Sequence, residues 1–450
     1  MRRSSSHFAH TGLIALALGA AGCGGEGGPV TAGLDSPDIP LAPAVEEVYS
    51  VGVLDGAMWE MFGSVRAVAF DGDGTLLILD NDAGHVVVID PTGEFVRTIS
   101  NKGEGPGELN QPIGMAVFAD RRIGVHDLMR GIQLFSREGE FLDEARFTLD
   151  EARFTLEEGA PGGRIYALPD HSVLSTELVG ASLSRLMRSL QGEDEDEAVP
   201  EGRPITRFRL DGTRDVFYTA WAGPPREEAE RERRDGNVRM VISGGEAFPL
   251  PLSIGLLQDG RVVVADSVGY RIKLLEASGR VTGTLERPVA PVAVTDAIQE
   301  AERERRLAAS QSGSGGGANI VMMRSVSGVI GGSSRAPTGP DPEVMRRMME
   351  DQIGDLAFPE EIPVIANLAV DWSDRIWVQR SALPGETGPT DILGADGQYF
   401  GTIAPDGLRI PAAFGPDGLL AYIERDELDI QRVRVVRLVG DQLLETADAR

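Results

Sequence analysis

Cys23 is the only cysteine in 450 residues, so its thiol is the one sulfur nucleophile the chain carries. Arg2 and Arg3 open the segment before it, an apolar stretch runs from Leu13 to Ala21, and Ala20, Ala21 and Gly22 stand immediately ahead of it. That stretch is too short to span a bilayer, and the pattern reads as an export signal. Beyond it the histidines are His85, His126 and His171. In the repeat described below they fall at different depths in different units, where they cannot easily converge on one zinc. Asp80, Asp127 and Asp266 share one repeat position at the end of a strand. Such carboxylates could line a ring and hold Ca2+, which takes oxygen ligands only. The commoner role of an aspartate there is to accept backbone hydrogen bonds in the following turn. Met345, Met348 and Met349 have helical spacing, with Met322 and Met323 nearby. They could form a soft-metal site, but with no Cys or His among them the favoured reading is an amphipathic helix. There is no Gly-x-Ser-x-Gly elbow and no Cys/His pair. Gly103 to Gly107 is a connection rather than a phosphate loop, because no helix follows it. No catalytic, cofactor-binding or metal residue is assigned, which leaves Cys23 as the one site residue.

The bulk composition narrows the partners. The formal charge of -27 argues against nucleic acid and anionic lipid surfaces. Lysine occurs only at Lys102 and Lys273, so nearly all positive charge is arginine. A modified Cys23 could form no disulfide, and a chain with 42% hydrophobic residues can fold by burial alone. No later stretch is long and apolar enough for a transmembrane helix.

The elements that would position these residues form a repeat. Val65 to Phe70 is an apolar strand followed by the turn Asp71-Gly72-Asp73-Gly74. Thr75 to Asp80, Val86 to Asp90, the turn Pro91-Thr92-Gly93, and Glu94 to Ile99 complete the unit. Further copies start near Ile113, Arg164, Leu252, Asn367 and Ala412, with the third interrupted and the sixth incomplete. A period of about 45 residues with four short strands is the mark of a propeller, whose small sheets bury their faces by stacking on one another. The expected fold is all-β, a six-bladed β-propeller with helical or irregular insertions. Val45 to Val51 is expected to supply the missing strand of the last blade and so close the ring.

The segmentation follows. Residues 1–22 read as a signal peptide, 23–44 as a flexible tether rich in Gly and Pro, and 45–450 as the propeller. Insertions are expected at about 181–203, 222–240 and 287–361. The first carries the acidic run Glu193 to Glu197, the second the charged run Arg226 to Arg234, and the third two helical patterns, Thr295 to Ala309 and Pro342 to Gln352. The heptad Asp143 to Leu149 recurs letter for letter as Asp150 to Leu156, which reads as a tandem duplication in the last strand of blade two.

Two resemblances add to this reading. Ala20-Ala21-Gly22-Cys23 resembles a bacterial lipobox, with Ala20 where leucine is commoner. The resemblance implies cleavage before Cys23, acylation of its thiol and attachment to a membrane of the cell envelope. Gly24 after the cysteine is consistent with the outer membrane. Gly103 to Leu109, followed by Pro112, Asp127, Ile132 and Phe135, is similar to the NHL-type six-bladed propellers of bacterial lipoproteins. Such propellers are mostly scaffolds; lyases of this general fold use zinc held by histidines, and lactonases use calcium in the central tunnel. The expectation is a lipid-anchored envelope propeller that binds a small ligand or another envelope protein. The alternative is a calcium-dependent hydrolase or lactonase with its site at a tunnel mouth.

Overall fold

The computed structural model describes residues 34–128, 130–145, 160–161, 163–176, 178–179, 202–223, 245–311 and 342–440. Cys23, both acidic and charged runs, Met322, Met323 and the second heptad copy lie outside the described residues. In blade one Val65–Phe70, Leu76–Asp80, His85–Ile89 and Phe95–Ile99 pair antiparallel in chain order. Blade two repeats this with Pro112–Val117, Ile123–Asp127, Gly131–Phe135 and Phe141–Ala145. Blade three consists of Tyr166–Ala167, Val173–Ser175, Gly202–Phe208 and Arg214–Trp221. Blades four and five run from Ser253–Leu256 to Val281–Glu286 and from Ile365–Val370 to Tyr399–Ile403. Blade six has Ala413–Phe414, Leu419–Arg425 and Gln431–Leu438, and Val45–Val51 pairs antiparallel with the last of these. The chain is thus a six-bladed β-propeller closed by its N-terminal strand. Closure leaves no unpaired edge at the seam between the two ends of the chain.

The continuous apolar runs in the second strands have a physical reason. A blade is covered on both faces, so neither face can be polar. Leu76 and Ile78 point into the cluster shared with blade six, while Leu77 and Leu79 alternate into the cluster shared with blade two. Separate buried clusters fill the other inter-blade spaces, with Trp377 at the heart of the one around blade five. At Gly279 the blades approach so closely that a Cβ would stand 1.9 Å from the Phe217 carbonyl oxygen.

Antiparallel order gives the ring two unlike faces. Turns joining first to second and third to fourth strands emerge on one, the turn face; second-to-third turns and the connections between blades emerge on the other, the connector face. Turn-face loops are tight because an aspartate side chain completes them. Asp71 Oδ1 accepts from the amides of Asp73 and Thr75 at 2.9 and 3.0 Å, and Asp371 and Asp426 repeat the pattern. Asp426, in the last blade, does this on the connector face.

The connector face carries the excursions. Residues 292–293 and 361–362 pair at the base of the 287–361 insertion. Within it lie helix α1, Asp296–Gln311, and helix α2, Pro342–Gly354. Thr295 caps α1 through its hydroxyl on the Ile298 amide. Glu246 and Ala357 bridge this insertion to the connection between blades three and four.

Residues 34–44 depart from the expected tether. Pro40–Leu41 adds a short parallel strand to the outer edge of blade five, and Leu34 is fully buried in the core between blades four and five. Arg287 holds this segment: its guanidinium donates to the carbonyls of Leu34 and Ser36 at 3.2 and 3.0 Å and to Asp38 at 3.0 Å. The same guanidinium lies 2.8 Å from Asp391 and 4.1 Å from the Tyr399 ring centroid. Arg380 adds a 2.5 Å contact to Asp38. The Pro-rich stretch has no periodicity of its own, and its order comes from groups about 250 residues away in the chain.

Candidate ligand site between blades one and two

The sequence-selected carboxylates do not meet. Asp80 and Asp127 each tie down the chain entering their own blade: Asp80 accepts from the amides of Gly63 and Ser64, and Asp127 from those of Asn110 and Gln111, at 2.7 to 3.0 Å. Asp80 also accepts from Asp82 and Ala83 in the following turn. Asp266 differs, because Pro249 stands where blades one and two have the donors Gly63 and Asn110, and it has no N–H. Its Oδ2 instead takes Lys273 at 2.8 Å, the Tyr218 hydroxyl at 3.1 Å and the Trp221 amide at 3.3 Å. Burial lowers the pKa of Lys273, but hydrogen bonds to Asp266 and Tyr218 outweigh it and the net shift is upward.

The histidines are also apart. His85 opens a strand of blade one, His126 is buried in the second strand of blade two, and His171 sits in a turn of blade three on the opposite face. Neither ring nitrogen of His126 has a hydrogen-bond partner, and burial lowers its pKa to about 4. Met345, Met348 and Met349 lie on α2. Among the described residues no group of three or more His, Cys, Asp or Glu comes together in a way that could hold a metal ion.

A cavity of about 260 Å³ opens on the turn face between blades one and two. Leu77, Val88, Val117 and Ile123 form its apolar floor, which is the upper end of the core between the blades. Its walls carry Asp71, Thr75 and Arg97 from blade one, and Arg121, Arg137 and Glu138 from two turns of blade two. Arg121 grips Asp73 with two hydrogen bonds of 2.6 and 2.8 Å, and Arg137 donates to the same carboxylate at 2.6 Å. Some desolvation works to raise the Asp73 pKa, but the hydrogen bonds from Arg137 and Arg121 outweigh it and hold it below the ordinary value.

Arg121 stands in a left-handed turn position. The equivalent residues are Gly74, Gly260 and Gly418 in blades one, four and six, and His171 and Asp374, at φ 66° and 59°, in blades three and five; Arg121 itself has φ 68°. A left-handed non-glycine residue costs on the order of 1–3 kcal/mol, and three of the six blades bear that cost at this turn.

Arg97, on the outer strand of blade one, is the cation left over. It donates to the Arg137 carbonyl, has no carboxylate partner among the described residues, and its buried Nε has no acceptor. The arginines escaped the sequence reading because they belong to separate turns and strands and meet only when the two blades stack.

A family model agrees with the fold. Residues 61–160 match a family model described as a 6-bladed beta-propeller. A solved Bacteroides fragilis protein assigned as exported is 12% identical over 92% of this chain and 99% of that one, with a TM-score of 0.44. Virginiamycin B lyase from Staphylococcus aureus is 10% identical, covering 87% of this chain and 99% of its own, with a TM-score of 0.38. A gluconolactonase from Xanthomonas campestris is 13% identical, covering 90% and 99%, with a TM-score of 0.35. No curated protein matches the sequence.

Proposed function

We propose that this six-bladed propeller is a lipid-anchored scaffold of the bacterial cell envelope, held at the outer membrane through Cys23, that binds a ligand between blades one and two. The observation that carries the binding half is the cavity with an apolar floor and a half-buried Arg97 whose charge has no partner among the described residues. Ligand sites are concave and mainly apolar, with a few placed polar groups that fix orientation. The anchoring half rests on Cys23 and the segment before it. Two acyl chains would hold the protein stably, whereas one would not.

The test of anchoring is fractionation of cells fed a clickable fatty acid. The wild-type chain takes up label and sediments with outer membranes, and Cys23→Ser takes up none and leaves the membrane fraction. Equal label and sedimentation in both would end the anchoring proposal. The hydrolase alternative would need acidic or amide groups converging at a tunnel mouth, and no observation here favours it.

A further inference from the structure

We infer that the cavity between blades one and two takes a small monocarboxylate with a short apolar chain, an inference that rests on the binding reading above. Three features select that chemistry. The floor of Leu77, Val88, Val117 and Ile123 offers nothing to a polar body, so the part of the ligand that enters deepest is hydrocarbon. The volume of about 260 Å³ is room for roughly nine water-sized groups of about 30 Å³ each, which suits a chain of some six to eight carbons with a head group.

The head group follows from the charges. Asp71 and Glu138 line the cavity with Arg97, Arg121 and Arg137, and Asp73 stands beside it against two of these arginines. Arg121 and Arg137 are both committed to Asp73, and Arg137 also lies 3.4 Å from Asp71. Of the three arginines, Arg97 is the one with no carboxylate contact among the described residues. A single negative charge completes it; a dianion such as a phosphate monoester would leave an uncompensated charge at the cavity, and an amine would meet Arg97 with like charge. The chain's overall negative charge does not forbid this. At physiological ionic strength exposed charges beyond about 8 Å are largely screened, so the arginines at the cavity decide.

The test is titration of the full-length protein by calorimetry and ligand-observed NMR with octanoate, octyl phosphate, octanol and octylamine, each below its micelle concentration. Octanoate is expected to bind most tightly and octylamine least. Arg97→Met should weaken octanoate by about 10- to 100-fold, the loss expected for a charge-assisted hydrogen bond, and leave octanol unchanged. Arg97→Lys, which keeps the charge, should stay within a few-fold of wild type. Val96→Trp, at an exposed position on the cavity wall, should block all binding by filling the space. Octanol, octylamine or octyl phosphate binding as well as octanoate, with Val96→Trp still blocking, overturns the monocarboxylate inference and leaves the cavity as a site. Octanoate binding that survives Val96→Trp, or no binding by any probe, overturns the inference together with the reading on which it rests.

Discussion

Replacing Arg287 with methionine should cost about 3–5 kcal/mol, because it strands Asp391. The side chains of Arg287 and Asp391 are 2% and 0% exposed, and the 2.8 Å contact between them is the nearest charge compensation Asp391 has; Arg380 is 3.5 Å away. The guanidinium also serves the carbonyls of Leu34 and Ser36. Methionine replaces the aliphatic stem but none of the donors, so a buried carboxylate and two carbonyls are left wanting. Guanidinium denaturation followed by circular dichroism reads the stability, and limited proteolysis with mass spectrometry reads whether residues 34–44 have come loose. Adding Asp391→Leu should recover most of the loss, since an apolar pair of similar volume is often as stable as a buried ion pair. A single variant within about 1 kcal/mol of wild type, with 34–44 still protected, would refute the assignment of Arg287 as the residue that holds this segment.

Three further outcomes are expected. His126 titrates near 4 when folded against an ordinary value of 6.5, so the unfolded chain binds more protons between those values and stability falls as pH drops through that window. The cost is roughly 3 kcal/mol at 1.36 kcal/mol per unit, and His126→Leu should flatten the stability profile between pH 7 and 4. Asp80→Ala removes the acceptor of four backbone amides and should cost about 3 kcal/mol or more by denaturant titration; Asp80→Asn should recover part of it. Asp38 is held below the ordinary carboxylate value: burial alone would raise it, but the hydrogen bonds and charges of Arg380 and Arg287 outweigh burial. Its contribution is complete above about 3.9 and is lost as pH falls through its lower folded value, so protease protection of 34–41 should persist at pH 5 and fade only in stronger acid.

The blades were legible in the sequence because each is local. An Asp-Gly turn, an apolar run and a terminal aspartate fall together within single units such as blades one and four, and stacking forces the apolar run on every copy. The closing strand Val45 to Val51 was legible for a related reason: the last blade lacked a strand and only one unassigned apolar segment could supply it. The packing of 34–44 was not legible, since proline-rich chain carries no period and Arg287 looks like any arginine until Asp391 and Tyr399 surround it. The cavity was hidden in the same way, because Arg97, Arg121 and Arg137 are unremarkable within their own blades. Asp266 lay between these cases: Pro249 announces that its blade cannot use the aspartate as blades one and two do, although nothing local names Tyr218 as the replacement.

The clamp on residues 34–41 also decides how the molecule would bear load. A protein moored by its N-terminus is tugged along that chain whenever its surroundings shift. Here the pull would reach Leu34 and the Asp38–Arg287–Arg380 contacts on blades four and five before it reached Val45–Val51, the strand on which ring closure depends. The clamp is therefore strain relief in the sense used for a cable: it must slip before any force is applied to the seam.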